Sequence, residues 1–468
     1  MGTSECHQVP FSGGEDRPPA PLTWSQQYYL AELDAARPRG CSLAISRVYA
    51  LRPGTSRQSV TEVLAELLLR FEGLRTTVLR EGDAARQRVH TRGTLPLAVH
   101  SAGPGDEGDR ETAGVATALA AAPFDVSAEL PVRAALVERA GAPHSLVLVF
   151  SHVAVDAFAL RPVTDHLVST VALRHPDWPP ARAGEPGLHP YEQAAAEASA
   201  AGLKRAGRAL RHASEVFRTM PEALPTADGG RAGERFAFLS HRSPALDLAL
   251  GAVALRTAEP VSTVLAAAVL AVDAVMADRT DGYVQLLSAN RSRPGTVNAV
   301  VPCSQPVPCG VTVSGASFTE LVRRTATATL GALRHGSYPP AGLAEAHREA
   351  ELRRGAALDV SPTFNYRGRP GSLPRRGVTA DELARAAGGA RTGWVPGGPQ
   401  WRSTRYLSAD TGEAGLRLTL QVDTAAHTPE WAGAWMSALE RLVCAAAVGD
   451  VSPAGLVRVV EQSEARSQ

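Results

Sequence analysis

The stretch PHSLVLVFSHVAVDAFAL, residues 143–160, decides how the chain is read. Its core, Leu146 to Phe150, is an unbroken apolar run of strand length, which is the pattern of a buried strand. His152 stands just past that run, and Asp156 follows four residues later. A side chain placed beyond the end of a buried strand is held by a rigid core while facing a loop, a common setting for chemical groups. A neutral imidazole, with an ordinary pKa of about 6.5, accepts a proton from an attacking amine or hydroxyl at neutral pH. The His-x-x-x-Asp spacing by itself also fits a core histidine with a carboxylate partner. Residues 153–174 read as a helix that Pro162 kinks or bounds.

Outward from this stretch, strands and helices alternate. Upstream, PLTWSQQYYLAELD reads as an amphipathic helix with Ser25 as N-cap before Gln26. CSLAISRVYAL alternates as a strand, and SRQSVTEVLAELLLRFEGL carries apolar residues at helical spacing behind Ser56 or Ser59. SAGPGDEGDRETAG reads as a surface loop, and the polar, Gly- and Pro-rich residues 1–20 as disordered. Downstream, the Pro- and Gly-rich RHPDWPPARAGEPGLHP marks a domain boundary. The second half repeats the style of the first. Strands are expected at RFAFLSHR and LDLALGAVAL, then a helix from Ser262, its N-cap, to Arg279. PCSQPVPC and the stretch 367–400 read as loops, as does WVPGGPQW, for whose Trp394 and Trp401 the alternative is a bridging segment between lobes. Two similar mixed halves imply an α+β protein with lobes at 21–180 and 181–460.

Composition narrows the function. The 468 residues carry 48 Lys plus Arg against 47 Asp plus Glu, without the basic excess of a nucleic-acid binder. The five cysteines are scattered and odd in number, which argues against a disulfide framework, and Cys303 and Cys309 have no histidine beside them to suggest zinc. The longest apolar run, Val261 to Ala277, is broken by Asp273 and is short for a membrane span. The expectation is a soluble, cytoplasmic protein with no nucleic-acid or membrane partner.

SHVAVDA, Ser151 to Ala157, resembles the HHxxxDG motif of nonribosomal peptide synthetase condensation domains, of the chloramphenicol-acetyltransferase-like superfamily. Other stretches match that family in order. PLTWSQQYYL resembles its opening PLSxAQxRLW, RFEGLRTTVL its RHExLRTxF, and AAPFDVSAELPVRAAL its PFDLxxxPLxRAxL. PYEQAAAEA resembles the YxDYAxW region, SANRSRPGTVNAVVP the GRxxxxxxxxVGxFVNTLPLR region, and FNYRG the FNYxN strand. The resemblance implies two acetyltransferase-like lobes in a V-shaped pseudo-dimer, with the active site in a tunnel where they meet. It implies a free-standing condensation enzyme that moves an acyl or aminoacyl group from a carrier-protein thioester to an amine. The alternatives are an ester-forming or coenzyme A-dependent acyltransferase, or an inactive scaffold that docks carriers.

Position by position, His152 matches the catalytic second histidine of the motif, and Asp156 the structural aspartate that pairs with an arginine of the other lobe. Arg291 is the candidate partner and Arg293 the alternative; Asn298 matches an asparagine near the substrate tunnel. Ser151 stands in place of the first histidine and Ala157 in place of the glycine. The Ala157 methyl is expected to narrow the acyl-donor path. The retained His152 sets the chain apart from heterocyclisation domains and from oxygenase-recruiting domains, which lose it. The family binds no cofactor; its substrates ride on the phosphopantetheine of acyl or peptidyl carrier proteins, and the acceptor is a small molecule or itself carrier-bound.

Overall fold

In the computed structural model the apolar run 146–150 ends a strand, and none of its five side chains has any exposure. The structure describes residues 5–82, 84–105, 107–170, 173–174, 184–223, 235–369, 371–398 and 400–461. They fall into two compact units, unit 1 comprising Met1–Arg205 with Ala289–Gln305, and unit 2 comprising Ala206–Ser288 with Pro306–Gln468. The boundary expected at residue 180 lies outside the described residues.

Unit 1 runs β1 (Glu5–Ser12), β2 (Ala20–Pro21), α1 (Trp24–Ala36), β3 (Ile45–Leu51), α2 (Arg57–Arg70), β4 (Thr76–Glu81), β5 (Ala84–Val89), β6 (Arg92–Ala102), α3 (Glu107–Ala121), β7 (Val132–Arg139), β8 (Ala142–Phe150), α4 (Leu160–Thr170), β9 (Leu173–Arg174) and α5 (Pro190–Ala198). Its six-stranded sheet has the order β1-β6-β7-β8-β3-β9, parallel only between β6 and β7. A smaller antiparallel sheet has the order β2-β5-β4. The core of unit 1 joins the inward faces of β6, β7 and β8 to Val60, Val63, Leu64 and Leu67 of α2 and Val163 and Leu167 of α4. The helical spacing behind Ser56 builds α2 as expected, with the Ser56 hydroxyl accepting the Ser59 N–H.

The structure corrects four local expectations in this unit. Glu5–Ser12, expected to be disordered, pairs antiparallel with β6 from Glu5↔Val99 to Ser12↔Arg92. A period-two pair, Val9 and Phe11, buries its face and is hidden in the sequence among polar neighbours. The cap of α1 is Thr23, one side of a reciprocal capping box with Gln26, rather than Ser25. Helix α3 begins at Glu107, inside the expected loop. Helix α4 begins only at Leu160, because residues 151–159 form turns; this puts Pro162 in the first helical turn, where an absent N–H costs nothing.

The Arg205/Ala206 boundary lies inside α6 (Ala200–Thr219). Unit 2 continues as β10 (Phe236–Arg242), α7 (Pro244–Thr257), α8 (Val261–Met276), β11 (Asp281–Ser288), β12 (Gln305–Thr312), α9 (Phe318–Leu333), α10 (Pro340–Arg354), β13 (Thr363–Tyr366), α11 (Ala380–Ala387), β14 (Arg391–Val395), β15 (Arg405–Gly412), β16 (Gly415–Asp423), α12 (Pro429–Val448) and α13 (Pro453–Glu461). Its seven-stranded sheet has the order β12-β11-β13-β15-β16-β10-β14. LDLALGAVAL is helix α7 rather than a strand: it is apolar nearly all round, so its periodicity could not separate the two states, and Ser243 and Pro244 start the helix. PCSQPVPC contributes an edge strand, where Pro306 and Pro308 leave no ladder donor missing on the outer side. Trp394 lies on the opposite edge strand, β14. Helix α8 starts behind Pro260 rather than Ser262 and is buried nearly all round, as the core helix of this unit. The Asp273 that interrupts its apolar run pairs with Arg405 and accepts the Trp435 indole N–H at 2.7 Å. Among the described residues no single helix is long and apolar enough to cross a membrane, and the α7–α8 pair is bent by 105°.

Candidate active site

The site is built where β8 stops. Ser151 is fully buried and its N–H donates to Pro131 O, so the strand end is pinned. The chain then folds over itself: Ala154 N and Val155 N donate to Ser151 O, and Val153 N donates to Ser151 Oγ at 3.4 Å. The hydroxyl that replaces the motif's first histidine is thus part of the turn that presents the next residue. On that turn His152 is half-buried, and its Nδ1–H donates to Val155 O at 3.1 Å. With the proton on Nδ1, the basic lone pair of the neutral ring sits on Nε2.

The imidazole lies flat on Tyr29 of α1, with ring centroids 4.6 Å apart and planes 8° from parallel. The same helix holds the turn directly, since Gln26 Nε2 donates to Val153 O at 3.3 Å. Tyr29 is 2 % exposed, and its hydroxyl shares a hydrogen bond with Ser304 Oγ at 2.8 Å. Neither Tyr29 nor Ser304 is marked in the sequence by any spacing to His152. The T-x-x-Q of a capping box at Thr23 and Gln26 was the one readable signal that α1 starts there.

Asp156 anchors the Ala289–Gln305 segment. Its Oδ1 accepts Arg291 Nη2 at 2.7 Å and Ala159 N at 2.8 Å; its Oδ2 accepts Cys303 N at 2.8 Å and Ser304 N at 3.0 Å. The other Nη donors of Arg291 go to its own loop, reaching Thr296 O, Ala299 O and Val301 O at 2.8–2.9 Å, while its buried Nε makes no hydrogen bond among the described residues. The pairing expected for Asp156 therefore forms with Arg291. The sequence placed that arginine in the other lobe, but Arg291 belongs to unit 1 together with Asp156, because Ala289–Gln305 packs as part of that unit. Arg293 instead supplies the carbonyl that accepts Thr296 N and Oγ1.

The remaining candidates lie around this cluster. Ala157 is exposed on the turn after Asp156, beside Phe158 at 56 % exposure. Asn298 Nδ2 donates to Glu185 O at 3.3 Å, and Asn298 O accepts Gly187 N. Cys303 is buried, and desolvation pushes its thiol up to about 12, so it offers no thiolate nucleophile. Among the described residues no group of three or more His, Cys, Asp or Glu is gathered as a metal cluster would require. Unit 2 has its own cavity of about 610 Å³, whose wall mixes apolar residues such as Leu286, Leu330 and Phe364 with polar ones such as Thr263, Thr327 and Asn365.

The comparisons with known proteins agree with this architecture. A condensation-domain family model matches residues 18–445. A probable non-canonical nonribosomal peptide synthetase, CymA of Salinispora arenicola, is 32% identical over 169 residues, which is 35% of this chain and 2% of that much longer protein. The SgcC5 protein of Streptomyces globisporus superposes with a TM-score of 0.66 at 18% identity, covering 95% of this chain and 99% of its own. The X-domain in its complex with OxyB, from teicoplanin biosynthesis, gives 0.66 at 18% identity over 97% of this chain and 96% of that one. The first condensation domain of the calcium-dependent antibiotic synthetase gives 0.62 at 16% identity over 93% and 97%. At these identities the structural likeness is one of fold. With a family model spanning nearly the whole length and the motif turn assembled at the end of β8, the chain belongs to the condensation-domain family.

Proposed function

We propose that this chain is an acyltransferase of nonribosomal peptide biosynthesis, joining an acyl or aminoacyl thioester on a carrier protein to an amine to form an amide. The observation that carries this reading is the state of His152: half-buried, hydrogen-bonded through Nδ1–H to Val155 O, and therefore basic at Nε2. The acceptor nitrogen attacks the thioester carbonyl carbon, and Nε2 takes the proton that the nitrogen must lose. The C–S bond then breaks, and the phosphopantetheine sulfur leaves with a proton returned from the imidazolium. Holding two substrates at one imidazole replaces an encounter in solution and removes its entropic cost. The reaction takes place in the cytoplasm, and the partners are acyl or peptidyl carrier proteins. The Ala157 methyl narrows the donor path and Asn298 lies along it. The same base serves a hydroxyl acceptor or a coenzyme A thioester, so an ester-forming or coenzyme A-dependent enzyme is the nearest alternative. The departures at Ser151 and Ala157 favour a second reading, a scaffold that docks carriers without chemistry.

The test is intact-protein mass spectrometry of loaded carriers mixed with the enzyme. The expected result is loss of the acyl mass from the donor carrier and its gain by the acceptor. His152→Ala is expected to lower turnover by roughly 10²–10⁴ while melting at the wild-type temperature. No transfer by the wild type across donors would favour the scaffold; undiminished transfer by a folded His152→Ala would assign the proton to another base.

A further inference from the structure

We infer that Tyr29 is a positioning residue for His152, and that the Asp156–Arg291 pair acts on the imidazole through it. The inference rests on the reading of His152 as the base. An imidazole on a turn has two loose degrees of freedom, the swing of its plane and the flip that exchanges its nitrogens. The flip is opposed by the Nδ1–H bond to Val155 O at 3.1 Å. The swing is opposed by the Tyr29 ring, parallel within 8° and 4.6 Å away. A stacked ring can hold a plane only if it is itself held. Tyr29 is 2 % exposed on α1, and its hydroxyl is tied to Ser304 Oγ at 2.8 Å.

Ser304 is in turn fixed by the carboxylate that anchors its segment, since Ser304 N donates to Asp156 Oδ2 at 3.0 Å and Asp156 Oδ1 holds Arg291. Arg291, Asp156, Ser304, Tyr29 and His152 therefore form one run of direct contacts whose three middle members are buried and whose two ends, Arg291 and the imidazole, are half-buried. Any buried tyrosine needs a partner for its hydroxyl, but one serving only as core filling does not need a parallel stack on the imidazole. Set against PLSxAQxRLW, Tyr29 stands at the leucine of that pattern, so this chain has an aromatic face where the pattern has an aliphatic one. Ser151 marks a second change at the same turn, an imidazole lost beside the base.

The experiment uses the full chain labelled with ¹⁵N-histidine, with the His152 signals among the 13 histidines identified by their loss in His152→Ala. In the wild type the expected pattern is a single Nδ1–H tautomer and upfield-shifted ring protons from the Tyr29 ring current. Tyr29→Leu is expected to abolish the ring-current shift, mix the two tautomers, and lower kcat by roughly 10- to 100-fold with KM for the carrier little changed. Tyr29→Phe keeps the stacked ring and most of kcat but loses the hydroxyl bond to Ser304, so part of the ring-current shift is retained and the His152 signals move off their wild-type positions. Ser304→Ala, which removes the same anchor as Tyr29→Phe, moves the His152 signals in the same way. Unchanged His152 tautomer and ring-proton shifts in Tyr29→Leu overturn the inference; if that variant does not fold, unchanged signals in both Tyr29→Phe and Ser304→Ala overturn it instead. The spectra report the ring and not turnover. Undiminished activity in His152→Ala would therefore sink the assignment of the base, while the positioning of the ring by Tyr29 stands or falls on the spectra alone.

Discussion

Each oxygen of Asp156 accepts two hydrogen bonds, and with 1 % of the residue exposed none of them can be replaced by water. Asp156→Ala would strand the buried Arg291 guanidinium along with the N–H groups of Ala159, Cys303 and Ser304. Breaking one side of such a pair typically costs about 3–5 kcal/mol, because the surviving charge stays buried without compensation. The expected outcome in urea unfolding is a lowered midpoint with an unchanged slope, together with reduced turnover as Ser304 loosens. An Asp156→Ala protein of wild-type stability that had lost only its rate would make the carboxylate a direct participant in the chemistry. His152 and Asp156 were legible in the sequence because they sit in one short motif behind a buried strand. Tyr29 and Ser304 were not, because they meet only in space: 275 residues separate the two.

At the scale of elements, the register of α1 is what brings Tyr29 under the imidazole, and that helix start is held from α5. Trp24 N, at the first position of α1, donates to Glu197 Oε2 at 2.7 Å, and Gln193 Nε2 donates to Oε1 at 2.7 Å. Burial pushes the Glu197 carboxyl up to about 7, against the pull of those hydrogen bonds and of Arg293 and Arg205. An acid whose pKa is higher folded than unfolded binds more protons in the native state, so its contribution is full below the ordinary value of 4.5 and is lost as pH rises through about 7. Glu197→Gln keeps an acceptor for Trp24 N and cannot ionise. Between pH 5 and pH 8 the unfolding free energy of the wild type should therefore fall relative to Glu197→Gln by an amount on the order of 1–3 kcal/mol. Parallel pH dependences for the two proteins would show that the carboxyl titrates in the folded state much as it does unfolded.

At the scale of the whole molecule, the site depends on a chain excursion. Ala289–Gln305 leaves the end of β11 and packs as part of unit 1, delivering Arg291, Cys303 and Ser304 to Asp156. Two glycines let it lie against backbone. A Cβ on Gly73 would stand 2.3 Å from Val300 O, and one on Gly187 2.3 Å from Gly295 O and 2.4 Å from Ala299 N. Gly73→Ala should therefore push the segment off its seat, at about 1–3 kcal/mol, and lower the melting temperature and acyl transfer together. Gly331→Ala, where an added Cβ meets nothing within 4 Å, is the control expected to leave transfer unchanged and the melting temperature unchanged or slightly raised, since alanine favours helix α9 over glycine. A Gly73→Ala protein with wild-type melting and transfer would mean that the segment reseats without consequence.

Local order in the chain determined much of this protein: the buried strand 146–150, the motif turn behind it, the amphipathic α2, and a family pattern in the right sequence from residue 21 to 450. Those signals are short-range, carried by period, caps and spacing. Where burial is nearly complete or the apolar pair is brief, as in α7 and β1, period alone left the state open and packing chose it. Tertiary structure alone decided that Arg291 joins the unit of Asp156, that Ser151 closes a turn, and that a tyrosine from α1 lies on His152. The reason is physical: a buried carboxylate must collect its donors from wherever the fold brings them, and an aromatic stack forms between residues whose separation along the chain sets no constraint on their meeting.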